Sequence, residues 1–247
     1  STTSREDTLF GTSGRRYQSS NQRLSGQAGA MKYYICSPIG RTGSKRIVFG
    51  LNMTLNVSER MFISLEGVSD ENDPLFQGFK LYTAPDVSDN YTDEEAIQIM
   101  NDWETPITLH SHNVNLLPTD PSDWKFILSS RKRKIDTVLS GVLAGKTGSY
   151  EPTTSVKDFQ RFEVNLDTID RWMEEYVKRE NTFVDNIKRL TGNPPKVIYL
   201  EDTWQTIQQK VGQQFTEESK SQDTLTKSTH STIDYIKNYN KIQSHYD

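Results

Sequence analysis

Residues 32–48 read KYYICSPIGRTGSKRIV, and the predicted fold depends on this stretch. It opens with a short apolar run over 33–36, which is typical of a buried strand. Pro38 and Gly40 end the run, because proline cannot donate to a strand ladder and glycine tolerates unusual dihedral angles. An amphipathic continuation over 47–51 predicts a helix, so the stretch as a whole predicts strand, turn and helix in that order.

The turn within this stretch carries the chemistry of an anion site. Its sequence is Arg41-Thr42-Gly43-Ser44-Lys45, in which cations and hydroxyls flank a glycine. Backbone N–H groups and a helix N-terminus presented in this way can bind phosphate or sulfate. The turn does not match the Walker A pattern GxxxxGK[ST], because Gly40 and Gly43 are too close together. Taken alone, it fits an anion site and a plain strand-turn-helix equally well.

The composition limits the classes of protein to which the chain can belong. Its 247 residues fit one medium domain or two small ones. A hydrophobic fraction of 33% and a mean hydropathy of −0.72 predict a core alongside long polar segments. A net charge of −4 disfavours a general nucleic-acid or membrane-surface binder. Any anion site must therefore be a local concentration of lysine and arginine.

Several features favour a soluble protein of the cytoplasm. No apolar stretch is long enough to span a membrane, and no signal peptide opens the sequence. The single cysteine, Cys36, lies in the first apolar run and is predicted to be a buried thiol rather than a nucleophile. A sequence without a disulfide framework suits a reducing compartment.

Strands and helices are predicted to alternate along the chain. Strands are expected near 32–36, 107–110, 125–129 and 196–200, and the apolar segment 61–65 is predicted to be a further strand or a short apolar plug. Helices are expected from a capping box at Thr92 and Glu95, from Ile135 to a break at Gly145, over about 167–190, near 204–211, and around 233–239. The alternation predicts an α/β fold, with a mainly parallel sheet flanked by helices on both faces.

Polar segments divide the chain into four parts. Residues 1–30 are predicted to be a flexible extension, because so polar a segment cannot offset its ordering entropy by burial. The α/β domain covers 31–215 and includes a long irregular connection over 66–92, a candidate acceptor-binding loop. Residues 216–232 are rich in Ser and Thr and are predicted to be mobile. A C-terminal helix within 233–247 is expected to dock on the domain.

Polar residues follow three of the predicted strands, in the segments Ser37 to Lys45, His110 to His112, and Ser129 to Lys134. Ligands of parallel sheets bind off the carboxyl ends of the strands, so we expect these segments to converge. In the third segment, Arg131 precedes a helix that carries Ser140, and a guanidinium fork with such a hydroxyl can hold a phosphate. The alternative interpretation is a solvated basic run before a helix.

His110 and His112 alternate along their strand, so they share one face if the strand stays regular to its end. A neutral imidazole can take a proton from a hydroxyl near pH 7. A metal site is disfavoured, because no Cys or further His lies at ligand spacing. The alternative interpretation of either histidine is a purely structural one.

The order of these motifs resembles that of the sulfotransferases that use 3′-phosphoadenosine 5′-phosphosulfate (PAPS). Pro38 followed by 41–45 is similar to the family's 5′-phosphosulfate loop, with Ile39-Gly40 inserted. The stretch FILSSRKRKIDTVLS is similar to the 3′-phosphate motif, in which an arginine, an aspartate and a serine recur. Here those residues are Arg131, Asp136 and Ser140.

The resemblance extends to three later segments and spans about residues 31–240. His110-Ser111-His112 stands where many members have a general-base histidine. The stretch VIYLED over 197–202 resembles a V-x-Y-E-D-L strand with Leu200 added. Residues 236–239, IKNY, resemble the I-x-N-Y ending of bacterial-type members.

The resemblance implies a P-loop NTPase-like fold and transfer of a sulfuryl group from PAPS to a hydroxyl or amine on a small molecule or glycan, without a metal. His112 would be the base, with His110 as the alternative, and Arg41 and Lys45 would neutralise the bridging oxygen. The remaining residues would hold the cofactor: Thr42, Gly43 and Ser44 at the 5′-phosphate, with Arg41 and Lys45, and Arg131 and Ser140 at the 3′-phosphate.

A second hypothesis is an inactive protein of the same fold that serves in an assembly, such as a virion. Its support is the polar extension at 1–30, which could dock on a protein partner, and the irregular 38–45 loop. A nucleotide kinase ranks third, because the Walker A pattern is missing. No nucleic-acid or membrane partner is expected from the net charge of −4.

Overall fold

A computed structural model describes six ranges of the chain: 31–55, 63–65, 93–102, 108–147, 160–221 and 232–246. The predicted extension at 1–30 and the predicted irregular connection at 66–92 lie outside these ranges. So do Thr92 of the predicted capping box and residues 222–231 of the Ser/Thr-rich segment.

The described strands form one parallel sheet in the order β2-β3-β1-β4-β5. The strands are β1 Lys32–Cys36, β2 Ile63–Leu65, β3 Thr108–Ser111, β4 Trp124–Ser130 and β5 Lys196–Tyr199. The predicted parallel sheet is therefore confirmed, and the apolar segment 61–65 supplies its edge strand β2 beside β3.

The described helices are α1 Ser44–Leu55, α2 Asp93–Asn101, α3 Lys134–Thr147, α4 Leu166–Thr191, α5 Trp204–Val211, α6 Glu217–Ser221, α7 Thr232–Tyr235 and α8 Tyr239–Tyr246. The predicted break at Gly145 is wrong, because α3 runs through it. Val142 and Ala144 are buried just before it, and one exposed glycine in a last turn costs only about 1 kcal/mol. None of the described helices is both long and apolar enough to cross a membrane.

β1 is the central strand, and its side chains are buried on both faces of the sheet. Tyr33 and Ile35 pack in a cluster with residues of α1 and α5. Tyr34 and Cys36 pack on the opposite face with residues of α2 and α4. Helices therefore cover both faces, as a continuously apolar parallel strand requires.

The long helix α4 links the sheet to a second core cluster. Asn165 caps its start by accepting from the Asp167 N–H, and Gly192 ends it in the left-handed region at φ 77°. The predicted packing face of Ile169, Trp172 and Tyr176 is confirmed, since all three side chains are buried against α3 and the C-terminal segment.

The C-terminal segment docks on the chain just before α4. Ile236 forms a parallel bridge with Phe162 and is fully buried. The Asn238 side chain accepts from the Val164 N–H at 3.0 Å and donates to the Val164 carbonyl at 2.8 Å. The Asn238 side chain thus pairs with the main chain of Val164 in the way that the backbone of a neighbouring strand would.

The connections after β1 and β4 leave the sheet in opposite directions. The chain passes from β1 toward β2 at one edge, whereas from β4 it passes to β5 at the other edge. A crevice is expected where neighbouring strands diverge in this way, at their carboxyl ends. The loop before α1 and the turn before α3 border this crevice.

Candidate functional site

The loop between β1 and α1 has an unusual backbone. Gly40, Arg41 and Gly43 have φ angles of 74°, 57° and 80°. Among the described residues, Arg41 is the one non-glycine with a positive φ. A left-handed arginine costs about 1–2 kcal/mol, so the surrounding contacts must hold it in place. Strain of this kind is concentrated where the sequence predicts an anion loop.

Buried hydroxyls hold this loop on the strand ends. The hydroxyls of Ser37 and Thr42 are 2.7 Å apart, and Ser129 donates to the Thr42 carbonyl at 3.1 Å. All three residues are fully buried or nearly so. The Thr42 side chain therefore serves the internal structure of the loop, in a role that the sequence analysis did not assign to it.

The segment after β5 packs directly on the loop. A Cβ added to Gly43 would overlap Cδ1 of Leu200, so Gly43 is required both by its φ angle and by this close approach. Arg46 of α1 donates to the carbonyls of Leu200 and Asp202, each at 3.1 Å, and its guanidinium lies 4.3 Å from the Trp204 ring centroid. Sequence reasoning missed Arg46, although a cation beside the apolar residues of α1 was a visible signal.

The two predicted phosphate motifs meet at Arg41. Its Nε donates to the Ser140 hydroxyl at 3.1 Å, and its carbonyl accepts from Nε of Arg131 at 3.0 Å. Burial lowers the pKa of the Arg131 guanidinium, while Asp136 and Glu201 oppose that shift. The crevice between β1 and β4 thus holds two half-buried arginines. Such cations attract anions more strongly than solvated ones.

Ser44 and Lys45 occupy the first turn of α1. Ser44 is buried, whereas Lys45 is exposed. The Lys45 charge acts on the predicted histidine site, because it is one of the groups that lower the pKa of His110. The structure therefore brings a cation of the β1 loop near the end of β3.

His110 and His112 lie on the same side of β3, with ring centroids 4.9 Å apart in an edge-to-face arrangement. Nδ1 of His112 contacts the Ser37 carbonyl, which can only accept. The proton of a neutral His112 ring is therefore assigned to Nδ1, and Nε2 is the nitrogen that can accept a proton. This is the tautomer that a general base at the β1 loop requires.

The pKa of His110 makes stability depend on pH. Burial, followed by the charges of His112 and Lys45, lowers this pKa well below 6.5. As the pH falls below about 6.5, the unfolded chain binds a proton at His110 that the folded chain excludes. The stabilisation is complete above that pH and is progressively lost as the pH falls below it.

Urea unfolding at pH 7.5, 6.5 and 5.5 measures this effect. His110→Gln carries no ionisable ring, so its unfolding free energy should fall less steeply with pH than that of the wild type. The comparison uses the pH slope, which is insensitive to a constant loss of packing in the variant. Parallel slopes for the two proteins would show that His110 does not exclude a proton in the folded state.

Sequence reasoning also missed a buried polar cluster at the carboxyl end of β4. Ser130 donates to the carboxylate of Glu180 and lies 3.0 Å from the Tyr176 hydroxyl, and Lys134 pairs with the same carboxylate. Burial and the Glu180 charge raise the pKa of Tyr176 to about 12. The available signal was Glu180 itself, a carboxylate on the apolar stripe of α4 between Tyr176 and Phe183.

Within the described part of the chain, no group of three or more His, Cys, Asp or Glu residues is arranged to hold a metal ion. The arrangement at the carboxyl edge of the sheet thus combines cations, backbone amides, hydroxyls and two imidazoles with the carboxylate of Glu180. Comparison with known proteins adds no relative: no family model, no curated protein and no solved structure matches this chain.

Proposed function

We propose that this chain is a sulfotransferase of the P-loop NTPase-like type, which moves a sulfuryl group from PAPS to a hydroxyl or amine acceptor. One observation carries the proposal. The two motifs that resemble the family's phosphate sites are 90 residues apart in sequence, yet they meet through the Arg131–Arg41 and Arg41–Ser140 hydrogen bonds. A solvated basic run with no binding role would not be expected to form these hydrogen bonds with a strained loop.

In the proposed reaction, Nε2 of His112 takes the proton of the acceptor while the acceptor's oxygen or nitrogen bonds to sulfur. The bond from sulfur to the bridging oxygen breaks, and adenosine 3′,5′-bisphosphate leaves. Arg41 and Lys45 neutralise the negative charge that develops on that oxygen, which lowers the barrier. Positioning supplies much of the remaining acceleration.

The cofactor would be held at both phosphates. Backbone N–H groups of Thr42, Gly43 and Ser44 face the 5′-phosphate at the start of α1, where the helix dipole favours an anion. Arg131 and Ser140 hold the 3′-phosphate. The net charge of −4 makes a cation-lined crevice a local feature of the molecule, which fits a single anionic ligand better than a general anion surface.

A second candidate is an inactive assembly protein with this fold. The specific observation in its favour is internal satisfaction of the loop: Thr42 is turned toward Ser37, Arg41 is bonded to Ser140, and Leu200 packs over Gly43. A loop held closed by its own side chains would not admit PAPS. Its partner would then be a protein docked by residues 1–30.

Ligand-induced stabilisation separates the two candidates. Adenosine 3′,5′-bisphosphate at a hundred times its dissociation constant should stabilise a sulfotransferase by roughly 2.7 kcal/mol, read as a rise in Tm. Adenosine 5′-monophosphate, which lacks the 3′-phosphate, is the matched control and should stabilise less. A PAPS-dependent transfer assay over a panel of hydroxyl and amine acceptors follows. Absence of both binding and transfer would reject the enzyme and leave the assembly protein.

A further inference from the structure

Helix α4 passes the carboxyl ends of the central strands, and two consecutive residues contact different strands. Nη2 of Arg179 donates to the main-chain carbonyl of His112, after β3, at 2.8 Å. The carboxylate of Glu180 accepts from Ser130 at the end of β4 and pairs with Lys134 at the start of α3. Cys36 at the end of β1 responds to both charges: burial chiefly raises its pKa, Glu180 adds to the rise, and Arg179 opposes it.

His112 lies just beyond the regular part of β3, which ends at Ser111. The Ser111 carbonyl still accepts from the Ser37 N–H at 2.9 Å, in continuation of the ladder with β1. The next carbonyl, that of His112, accepts from the Arg179 guanidinium instead. A charged donor forms a stronger hydrogen bond than a neutral amide. A side chain of α4 therefore supplies the donor for the first carbonyl beyond the end of the ladder.

The same face of α4 makes a second contact with this loop. Asn186, two turns after Arg179, donates to the Val114 carbonyl at 3.0 Å. Both side chains therefore hold main-chain oxygens of the segment after β3, two residues apart. Of the two contacts, the one from Arg179 is made to His112 itself.

The side chain of Arg179 is half-buried, and its guanidinium is held by its hydrogen bond to the His112 carbonyl. Burial lowers its pKa, which Glu175 and Cys36 partly oppose. A half-buried arginine is costly unless its donors are used, and the His112 carbonyl uses one of them. That carbonyl and the ring belong to one residue, so the guanidinium that holds the carbonyl also restrains the main chain from which the ring reaches the Ser37 carbonyl.

We propose that Arg179 is a positioning residue: it fixes the main chain of His112 so that Nδ1 stays on the Ser37 carbonyl, the contact that leaves Nε2 as the proton acceptor of the neutral ring. This inference rests on the proposed sulfotransferase function for its kinetic consequence. Arg179 itself would touch neither cofactor nor acceptor. Glu180, beside it, holds the β4–α3 turn that carries Arg131, so adjacent residues of α4 set the two halves of the site.

Three variants test the kinetic consequence. Arg179→Met keeps the length of the side chain and removes the donors, and should lower kcat by up to about 10²-fold with adenosine 3′,5′-bisphosphate affinity within twofold of wild type. Arg179→Lys restores a donor and should recover part of kcat. Asn186→Ala removes the neighbouring loop contact and should leave kcat within about threefold. Equal losses in Arg179→Met and Asn186→Ala would overturn the proposal, because loosening of the whole loop would explain both.

A second readout does not need activity. Nitrogen NMR of the imidazoles, with the His112 signals assigned by their loss in His112→Gln, should show the Nδ1–H tautomer in the wild type. A mixture of tautomers is expected in Arg179→Met, and recovery of Nδ1–H in Arg179→Lys. An unchanged tautomer in folded Arg179→Met overturns the positioning role. A wild type that neither binds nucleotide nor transfers sulfate rejects the proposed function, while this NMR comparison still decides whether Arg179 positions His112.

Discussion

Replacing His112 with alanine is expected to lower the turnover number for sulfuryl transfer by roughly 10²–10⁴-fold, with nucleotide affinity nearly intact. In the proposed reaction, the imidazole would act on the proton of the acceptor, whereas the phosphates of PAPS would be held by the β1 loop and by the turn after β4. The structure gives the ring one defined orientation, because Nδ1 contacts the Ser37 carbonyl. Loss of the base therefore removes a transition-state interaction and little ground-state binding.

His112→Gln is the control that separates a base from a structural side chain. Its amide can still donate to the Ser37 carbonyl, but it cannot accept a proton at neutral pH. If His112 is the base, His112→Gln should be as inactive as His112→Ala. Near-normal turnover in His112→Gln would reject the base role, and a matching loss in His110→Gln would then move that role to His110. His112 is the first choice, because its Nδ1 contacts the Ser37 carbonyl and its exposure is 8%, against 2% for His110.

Local signals in the sequence were sufficient for most of the fold. The apolar run at 33–36 predicted β1, and the helix expected over about 167–190 is α4. Such features act over a few residues, so they can be recognised without tertiary information. Gly145 was misjudged for the same reason: its cost was visible in the sequence, whereas the burial of Val142 and Ala144 that carries α3 past it was not.

The site was predictable as a set of strand ends but not as a set of contacts. That the segments after β1, β3 and β4 lie at one edge follows from a parallel sheet. The bond from Arg41 to Ser140 spans 99 residues, and that from Arg179 to His112 spans 67. Such pairs depend on how α3 and α4 pack on the sheet, and no short pattern encodes that packing. Glu180 and Arg46 were long-range partners whose residue types were out of place among the apolar residues of their helices.

Ile39, Gly40 and Leu200 interrupt the resemblance to the sulfotransferase motifs, and packing accommodates them. Ile39 of the inserted pair is 5% exposed and belongs to the cluster of α3, α4 and the C-terminal segment. Gly40 supplies a left-handed turn next to it. The added Leu200 lies against Gly43, where a Cβ would not fit. The insertions therefore make additional core contacts, and they do not widen the loop as a loose bulge would.

Replacing Arg131 with alanine is expected to weaken adenosine 3′,5′-bisphosphate binding by roughly 1.5–3 kcal/mol, or about 10–150-fold in Kd. Arg131 is half-buried, and a bond from its guanidinium to a phosphate would be charge-assisted and partly shielded from water. Its loss also leaves the Arg41 carbonyl without its 3.0 Å partner, which releases the strained residue of the β1 loop. Both effects should weaken binding. The proposed 3′-phosphate site would lose its cation, and the proposed 5′-phosphate loop would lose the contact that holds Arg41.

Isothermal titration of the nucleotide at two salt concentrations measures this loss against a matched neighbour. Lys132 is exposed in the same basic run, and it contacts Glu201 through its backbone N–H, which an alanine retains. Lys132→Ala should change Kd by about twofold or less at 0.15 M salt, where solvated charges are screened. The Arg131→Ala loss should persist at high salt, because a buried contact is screened far less. If the two variants lost the same affinity for the nucleotide, and both losses disappeared at high salt, the attraction would be diffuse. The 3′-phosphate role of Arg131 would then be rejected.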